Sequence, residues 1–137
     1  MRKKKELKRE YQQNQTPMGI YQIRNTINDK VFIGTALNVP GVLNGQKFQL
    51  SAGSHPNKRL QAEWNEFGGE RFTFEILDEL SATEGPAHDY RADLAFLEEF
   101  WLETLQPYGE RGYNEKKRTK DEMLRLIAQN RISKQSK

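Results

Sequence analysis

Glu98 is the residue of this sequence whose type and setting most directly suggest chemistry. It lies in RADLAFLEEFWLETL (91–105), where apolar residues recur at helical spacing and form one stripe. Glu98 falls inside that stripe, whereas Glu99 and Glu103 fall on the polar side. A carboxylate facing a core is costly unless it is ion-paired, hydrogen-bonded or bound to a metal. Periodicity alone leaves two interpretations equally open: a functional carboxylate, or a glutamate at the stripe's edge that reaches solvent or an arginine.

A second candidate position lies in GIYQIRNTINDKVFIG (19–34), where two short apolar runs flank a polar break. The runs predict strands over 18–23 and 30–35, joined by a turn at Asn28 and Asp29. Side chains alternate faces along a strand, so any even-numbered hairpin loop places Tyr21 and Phe32 on one face. For a hairpin considered alone, cross-strand aromatic packing is the better interpretation of this pair.

The remaining elements must position these residues. The segment 38–50 predicts at most a short or irregular helix, because Pro40 can only begin a helix and two glycines follow it. The next segment, 54–69, predicts a good helix with Pro56 in its first turn and a stop at Gly68. Alternating apolar residues predict a third strand over 71–77, and 91–105 is the strongest helix.

The C-terminal region predicts one more short helix. Thr119 and Glu122 have the spacing of a capping box, which predicts a helix over 120–130. This helix would carry Met123, Leu124 and Ile127, either against the domain or against a protein partner.

Composition bounds the class of protein. A length of 137 residues suits one domain, and the absence of cysteine excludes disulfides and thiolate metal sites. No apolar run approaches the ~20 residues that span a bilayer. The basic start is followed by polar residues rather than by an apolar segment, so we expect no secretory signal and a cytoplasmic protein without a membrane partner.

The charge is unevenly distributed. Residues 1–15 hold six basic and two acidic residues, and residues 115–137 hold eight basic and three acidic ones, whereas residues 16–114 carry a net charge of −6. We therefore expect a basic N-terminal arm (1–16), a domain (17–114) and a basic C-terminal tail (115–137). Basic arms either neutralise nucleic-acid phosphates or are merely solvated. His88 is interpreted as a surface histidine, since no second histidine lies nearby in sequence to complete a metal site.

The chain resembles the GIY-YIG nuclease family in five features: GIY (19–21), FIG (32–34) after ten intervening residues, LQAEWNEFGGERFTFEIL (60–77), the inward Glu98 and the final YN (113–114). The resemblance covers residues 18–114. It implies an α+β fold, a small antiparallel three-stranded sheet flanked by helices, and cleavage of phosphodiester bonds with one divalent metal. Glu98 matches the metal-holding glutamate, and a single carboxylate with water and substrate oxygens suits Mg²⁺ or Mn²⁺.

The resemblance also implies roles for other positions. Tyr21 matches the tyrosine that accepts a proton from the attacking water, and Asn114 matches the asparagine that orders the site. Phe32 stands where the family has its second tyrosine. Counting without gaps places Val42 at the phosphate-clamp arginine and Gln46 at a histidine, while His55 matches a further histidine of some members.

Three functions remain open from the sequence. The first is a catalytically impaired domain that engages nucleic acid mainly through its basic arms, with DNA favoured over RNA. The second is an active metal-dependent endonuclease in which Lys47, Lys58 or Arg59 replaces the clamp arginine. The third is a protein-interaction module that uses the helix at 120–130.

Overall fold

A computed structural model describes residues 16–116 and 119–135 of the chain. Its centre is an antiparallel three-stranded sheet in the order β2-β1-β3, formed by β1 (Met18–Asn25), β2 (Val31–Ala36) and β3 (Phe72–Leu80). Within the described residues, four α-helices accompany the sheet, and the fold is α+β, as predicted. Nearly all of the predicted N-terminal arm lies outside the described residues.

The hairpin between β1 and β2 has the register that the alternation predicts. Tyr21 pairs with Gly34, and Ile23 pairs with Phe32, so Tyr21 and Phe32 share one face of the sheet. Asp29 supplies the turn with a left-handed backbone, at φ 62°. The Asn28 side chain accepts a hydrogen bond from the Lys30 amide over 3.0 Å and closes the turn.

Gly19 lies where β1 meets an irregularity in its pairing with β3. The register between the two strands shifts by one residue between Ile20 and Tyr21. A Cβ atom on Gly19 would lie 2.0 Å from the carbonyl oxygen of Asp78, and the residue has φ 155°. Only glycine therefore allows β3 to approach β1 this closely.

The expectation for residues 38–50 was wrong in extent. The structure has a 13-residue helix there, α1 (Val39–Ser51). The Asn38 side chain caps it by accepting from the Gly41 amide over 3.1 Å, and Pro40 lies in the first turn, where its missing N–H costs nothing. Packing of Val39 and Leu50 into the core outweighs the glycines, whose local cost misled the sequence-based prediction.

The second helix, α2 (Lys58–Phe67), begins later than expected. Asn57 is its N-cap and accepts from the Leu60 amide over 3.0 Å, so Pro56 precedes the helix rather than entering its first turn. Gly68 ends the helix at φ 88°, as predicted. The short 3₁₀ turn Gly69–Arg71 then leads into β3.

The third helix, α3 (Tyr90–Leu105), follows the predicted bounds and is capped by Asp89. Leu94 is buried, and the Trp101 indole donates to Asp78 on β3 over 2.8 Å. After the turn Gly109–Arg111 comes α4 (Lys120–Gln135), which is longer than the helix predicted over 120–130. No helix among the described residues is long and apolar enough to cross a membrane.

The main core lies between the sheet and the first two helices. It consists of five buried residues from the sheet, the first two helices and the segment after α3, joined by partly buried apolar side chains; the five are Ile23, Leu50, Leu60, Phe72 and Tyr113. A neighbouring cluster joins Tyr21 to Ala36 and Val39. The candidate site therefore lies at the edge of the packed interior, where side chains are held in place by core contacts.

Candidate active site

Tyr21 lies at the centre of the candidate site. Its side chain is buried, and its ring lies directly over Gly34 on the neighbouring strand. A Cβ atom at Gly34 would lie 2.5 Å from the phenol oxygen and 2.6 Å from Cζ. Only glycine therefore fits at this position of the FIG motif, because any side chain there would displace the tyrosine.

Phe32 packs between two rings of the site. Its centroid lies 6.5 Å from that of Tyr21 and 6.0 Å from that of the His55 imidazole, which it meets edge-on. The cross-strand aromatic pair expected for the hairpin is therefore present. Without a hydroxyl, Phe32 contributes shape to the site and no hydrogen bond.

Val42 and Gln46 extend from α1 toward Tyr21. Val42 packs against the cluster that contains Tyr21. One turn later, the Gln46 amide nitrogen donates to the Tyr21 phenol oxygen over 3.3 Å. The ungapped count thus selected one residue that packs against the Tyr21 cluster and one that is hydrogen-bonded to Tyr21 itself.

His55 reaches the site from the loop between α1 and α2. Its Nε2 atom is hydrogen-bonded to the Gln46 amide oxygen, and its Nδ1 atom accepts from the Asn57 backbone N–H over 3.0 Å. Burial lowers the pKa of the His55 imidazole, because a charged ring would lose its hydration. The histidine is therefore held in its neutral form at pH 7.

Asn114 attaches the C-terminal end of the domain to β2. Its amide oxygen accepts from the Ile33 N–H over 2.9 Å, and its amide nitrogen donates to the Ile33 carbonyl over 2.8 Å. The preceding Tyr113 amide donates to the Val31 carbonyl over 2.9 Å. Asn114 thus pairs with β2 as a neighbouring strand would, and it fixes the strand that carries Phe32 and Gly34.

Glu98 lies on α3, half-buried, and its charge acts on Tyr21. Burial raises the pKa of Tyr21 to about 12, and the Glu98 carboxylate acts in the same direction. In residues 16–116 and 119–135, no lysine or arginine forms an ion pair with Glu98. The interpretation in which Glu98 meets an arginine therefore finds no partner in this part of the chain.

A metal at Glu98 would have a simple protein ligand set. The described residues contain no group of three or more histidine, aspartate or glutamate side chains that could enclose an ion. A lone, half-exposed carboxylate fits a hard cation that takes its other ligands from water and phosphate oxygens, as Mg²⁺ and Mn²⁺ do.

The basic residues considered as clamp replacements have different settings. Arg59 is engaged with the backbone, since its guanidinium donates to the carbonyl oxygens of Gly109 and Gly112, the latter over 2.9 Å. Lys47 is exposed, and its ammonium lies 5.9 Å from the centre of the Phe74 ring. Lys58 is exposed at the start of α2.

His88, which the sequence assigned to the surface, is hydrogen-bonded to Asp93 over 2.7 Å. Both residues are exposed, and the centroid of the His88 ring lies 4.7 Å from that of Tyr90, which was not among the candidate site residues. This pair therefore takes no part in the arrangement around Tyr21.

Two residues of the site were missed from the sequence. Asn57 holds His55 and also donates to the Tyr113 carbonyl over 2.7 Å, joining the loop to the C-terminal segment. The buried Gln61 accepts from the His55 amide over 3.0 Å and donates to the Leu50 carbonyl over 3.0 Å. An asparagine just before an apolar helical pattern is an N-cap signal, and it could have identified Asn57.

Comparison with known proteins agrees with this geometry. No protein-family model matches the sequence. Among curated proteins, the chain is 34% identical over 88 residues to intron-associated endonuclease 1 of Enterobacteria phage T4, a match that covers 64% of this chain and 32% of that protein. The chain thus spans about a third of the length of this relative.

Two solved structures share the fold. A mutant of the catalytic domain of intron endonuclease I-TevI superposes with a TM-score of 0.61 at 30% identity, over 76% of this chain and 98% of that domain. A second structure of the catalytic domain of homing endonuclease I-TevI gives a TM-score of 0.60 at 31% identity, over 73% and 99%. With nearly the whole of that domain matched, the chain belongs to the GIY-YIG nuclease family.

Proposed function

We propose that this chain is an endonuclease-family domain that binds nucleic acid, DNA rather than RNA, and in which phosphodiester cleavage is impaired. The observation that carries the proposal is Val42, which packs against the Tyr21 cluster at the position expected to hold the clamp arginine. A valine side chain cannot donate hydrogen bonds to a phosphate or balance its charge.

Part of the hydrolytic machinery is retained. Tyr21 is positioned over Gly34, and the carboxylate of Glu98 influences its phenol. Glu98 would hold Mg²⁺ or Mn²⁺, and the bound cation would polarise the phosphate and offset its negative charge. Tyr21 would receive the proton of the attacking water in its phenolate form, after its own proton has passed to solvent.

At the described positions that the family resemblance assigns to the clamp, no cationic side chain is free to balance the charge that develops on the phosphate. Phe32 has no hydroxyl, and the guanidinium of Arg59 is occupied by the carbonyls of Gly109 and Gly112. Removing one donor of this kind from a hydrolytic site lowers the rate on the order of 100- to 1,000-fold. Cleavage is therefore impaired by the missing phosphate donor, whereas binding, which depends on the basic arms, is retained.

A second candidate function is active Mg²⁺- or Mn²⁺-dependent cleavage with a substitute cation. Lys47 and Lys58 favour it, since both are exposed and neither forms an ion pair within the described residues. Phosphate binding could draw either flexible ammonium toward the site. A plasmid-nicking assay, set out below, distinguishes this function from the impaired one.

The third candidate, a protein-interaction module, is favoured by α4. Its apolar side chains Met123, Leu124 and Ile127 remain exposed. Binding of a DNA duplex separates the first function from this one, because affinity that depends on phosphate contacts falls steeply with salt.

The decisive experiment incubates supercoiled plasmid with the wild-type chain and Mg²⁺ or Mn²⁺, with Glu98→Ala as the matched control. We expect no more nicking than in the control. Val42→Arg should raise nicking above wild type, since α1 is a regular capped helix that can direct the new side chain. Robust cleavage by the wild type that disappears in Glu98→Ala would overturn the proposal of impaired cleavage and support a substitute cation.

The basic arms are expected to supply the affinity for DNA. Residues 1–15 carry a net charge of +4 and precede β1, so deleting them removes none of the described strands and helices. We expect the deletion to weaken duplex binding and to make its salt dependence shallower, by about 0.9 in the log–log slope for each phosphate that the shortened chain no longer neutralises. Equal affinity and equal slope in the two proteins would assign binding to the domain surface instead.

A further inference from the structure

The hydrogen bonds that join His55, Gln46 and Tyr21 contain three groups whose hydrogens can be placed in more than one way. The imidazole has two neutral tautomers, the amide can be turned over, and the phenol hydroxyl rotates. One member of the network leaves no such freedom. The backbone N–H of Asn57 is always a donor, and it points at Nδ1 of His55 over 3.0 Å.

That single donor determines the direction of every following bond. Nδ1 must offer a lone pair, so the proton of neutral His55 lies on Nε2. Nε2 therefore donates to Gln46, which must present its amide oxygen there. The amide nitrogen of Gln46 then faces Tyr21, and it donates to the phenol oxygen over 3.3 Å.

We propose that Gln46 is a positioning residue that makes the Tyr21 phenol a hydrogen-bond acceptor on its α1 side, with His55 and Asn57 setting the direction. The proton of Tyr21 is thereby turned away from α1. A phenol must lose its proton before it can act as a base, and a donated hydrogen bond stabilises the resulting phenolate. Gln46 thus counteracts the burial and the Glu98 charge, both of which oppose ionisation of Tyr21.

The role in catalysis rests on the proposed function, but the directions of the hydrogen bonds do not. Substitution of Gln46 by glutamate tests them with almost no change in shape. A carboxylate can still accept from His55, but it cannot donate to Tyr21, so the phenol must turn and become the donor. Gln46→Leu removes both bonds, and Gln49→Leu, at an exposed glutamine on the same helix, is the matched control.

The experiment is nuclear magnetic resonance of the full chain labelled with ¹⁵N and ¹³C near pH 7.5. Imidazole ¹⁵N shifts identify the tautomer of His55, and the Cζ shift of Tyr21, assigned with Tyr21→Phe, reports its hydrogen bonding. Overhauser contacts locate the Gln46 side-chain amide protons. Dispersion of the backbone spectrum verifies that each variant is folded.

We expect the wild type to hold His55 with its proton on Nε2 and to show the Gln46 amide protons against the Tyr21 ring. The Tyr21 Cζ resonance should move in Gln46→Leu and further in Gln46→Glu, and it should stay in place in Gln49→Leu. A purely structural Gln46 would leave Tyr21 unchanged in the isosteric Gln46→Glu.

Three results would overturn the inference: a proton on Nδ1 of His55 in the wild type, Gln46 amide protons that face His55, or an unmoved Tyr21 resonance in Gln46→Glu. The first two are measured on the wild type and do not depend on whether any variant folds. None of these measurements uses cleavage, so the outcome of the nicking assay bears on the proposed function alone.

Discussion

Replacing Gly34 with alanine would place a methyl group in the space that the Tyr21 ring now occupies. The new Cβ would lie 2.5 Å from the phenol oxygen and 2.6 Å from Cζ, well inside van der Waals contact. The backbone of Gly34 does not have positive φ, so alanine meets no conformational barrier of its own. The whole effect of the substitution therefore comes from its clash with Tyr21.

The magnitude follows from two opposing terms. Overpacking a closely packed site costs about 1–3 kcal/mol, because a rigid side chain or the backbone must shift. Alanine also restricts the unfolded chain, which returns about 0.4–1 kcal/mol. We expect Gly34→Ala to lower the free energy of unfolding by on the order of 1–2 kcal/mol.

Gly45→Ala is a matched control for which we expect a change in stability of the opposite sign. It lies inside α1, and a Cβ there would have no neighbour within 4 Å. Alanine is favoured over glycine in a helix by about 0.8–1.0 kcal/mol, so Gly45→Ala should be more stable than the wild type. Urea unfolding, with the midpoint read at constant slope, measures both variants.

A double substitution tests the cause of the effect. If the Tyr21 ring is what alanine meets, Gly34→Ala should cost little in a Tyr21→Ala background, and the coupling free energy should be on the order of 1 kcal/mol. Gly34→Ala with wild-type stability, or the same decrease with and without the tyrosine ring, would refute the steric reasoning.

Two further outcomes are expected from the same measurements. Asn114→Ala should lower the free energy of unfolding by about 2 kcal/mol or more, because it leaves the buried N–H and carbonyl of Ile33 without partners. The control Asn44→Ala, at an exposed position, should stay within about 0.5 kcal/mol of wild type. A decrease for Asn114→Ala no larger than for Asn44→Ala would contradict this. The pKa of His55 in the folded state lies below its unfolded value of 6.5, so the unfolded state binds the proton first as pH falls. The contribution of neutral His55 to the free energy of unfolding is therefore complete above pH ~6.5 and declines below it. Urea midpoints between pH 5.5 and 8 should show this decline in wild type and in His88→Gln, and a decline that persists in His55→Gln would assign it to another group.

Local pattern determined the hairpin and the longest domain helix. Alternation of side chains and the Asn28–Asp29 turn set the register that pairs Tyr21 with Gly34, and the apolar period over 91–105 predicted α3 close to its observed bounds. Both depend on contacts between residues near in sequence. Hydrophobic periodicity and the types of residue in a turn are therefore enough to predict such contacts.

Helix α1 shows where local propensity failed. Pro40 and Gly45 disfavour a helix, but the cap at Asn38 and the burial of Val39 and Leu50 stabilise one of 13 residues. Intrinsic preferences of about 1 kcal/mol are smaller than the free energy gained when an apolar helical face packs onto a sheet. The sequence contains the cap but does not reveal the surface that receives the helix.

Describing the candidate site required both the sequence and the tertiary structure. Residue types and spacing selected its members through the resemblance to a nuclease family; they include Tyr21, Gln46, His55, Glu98 and Asn114. Only the tertiary structure decided that Asn114 pairs with Ile33, 81 residues away, and that Arg59 is engaged with backbone carbonyls. The direction of the hydrogen bonds through Gln46 likewise depends on where the loop after α1 places the Asn57 N–H. Such contacts join segments distant in sequence, and their geometry is determined by packing of the whole domain.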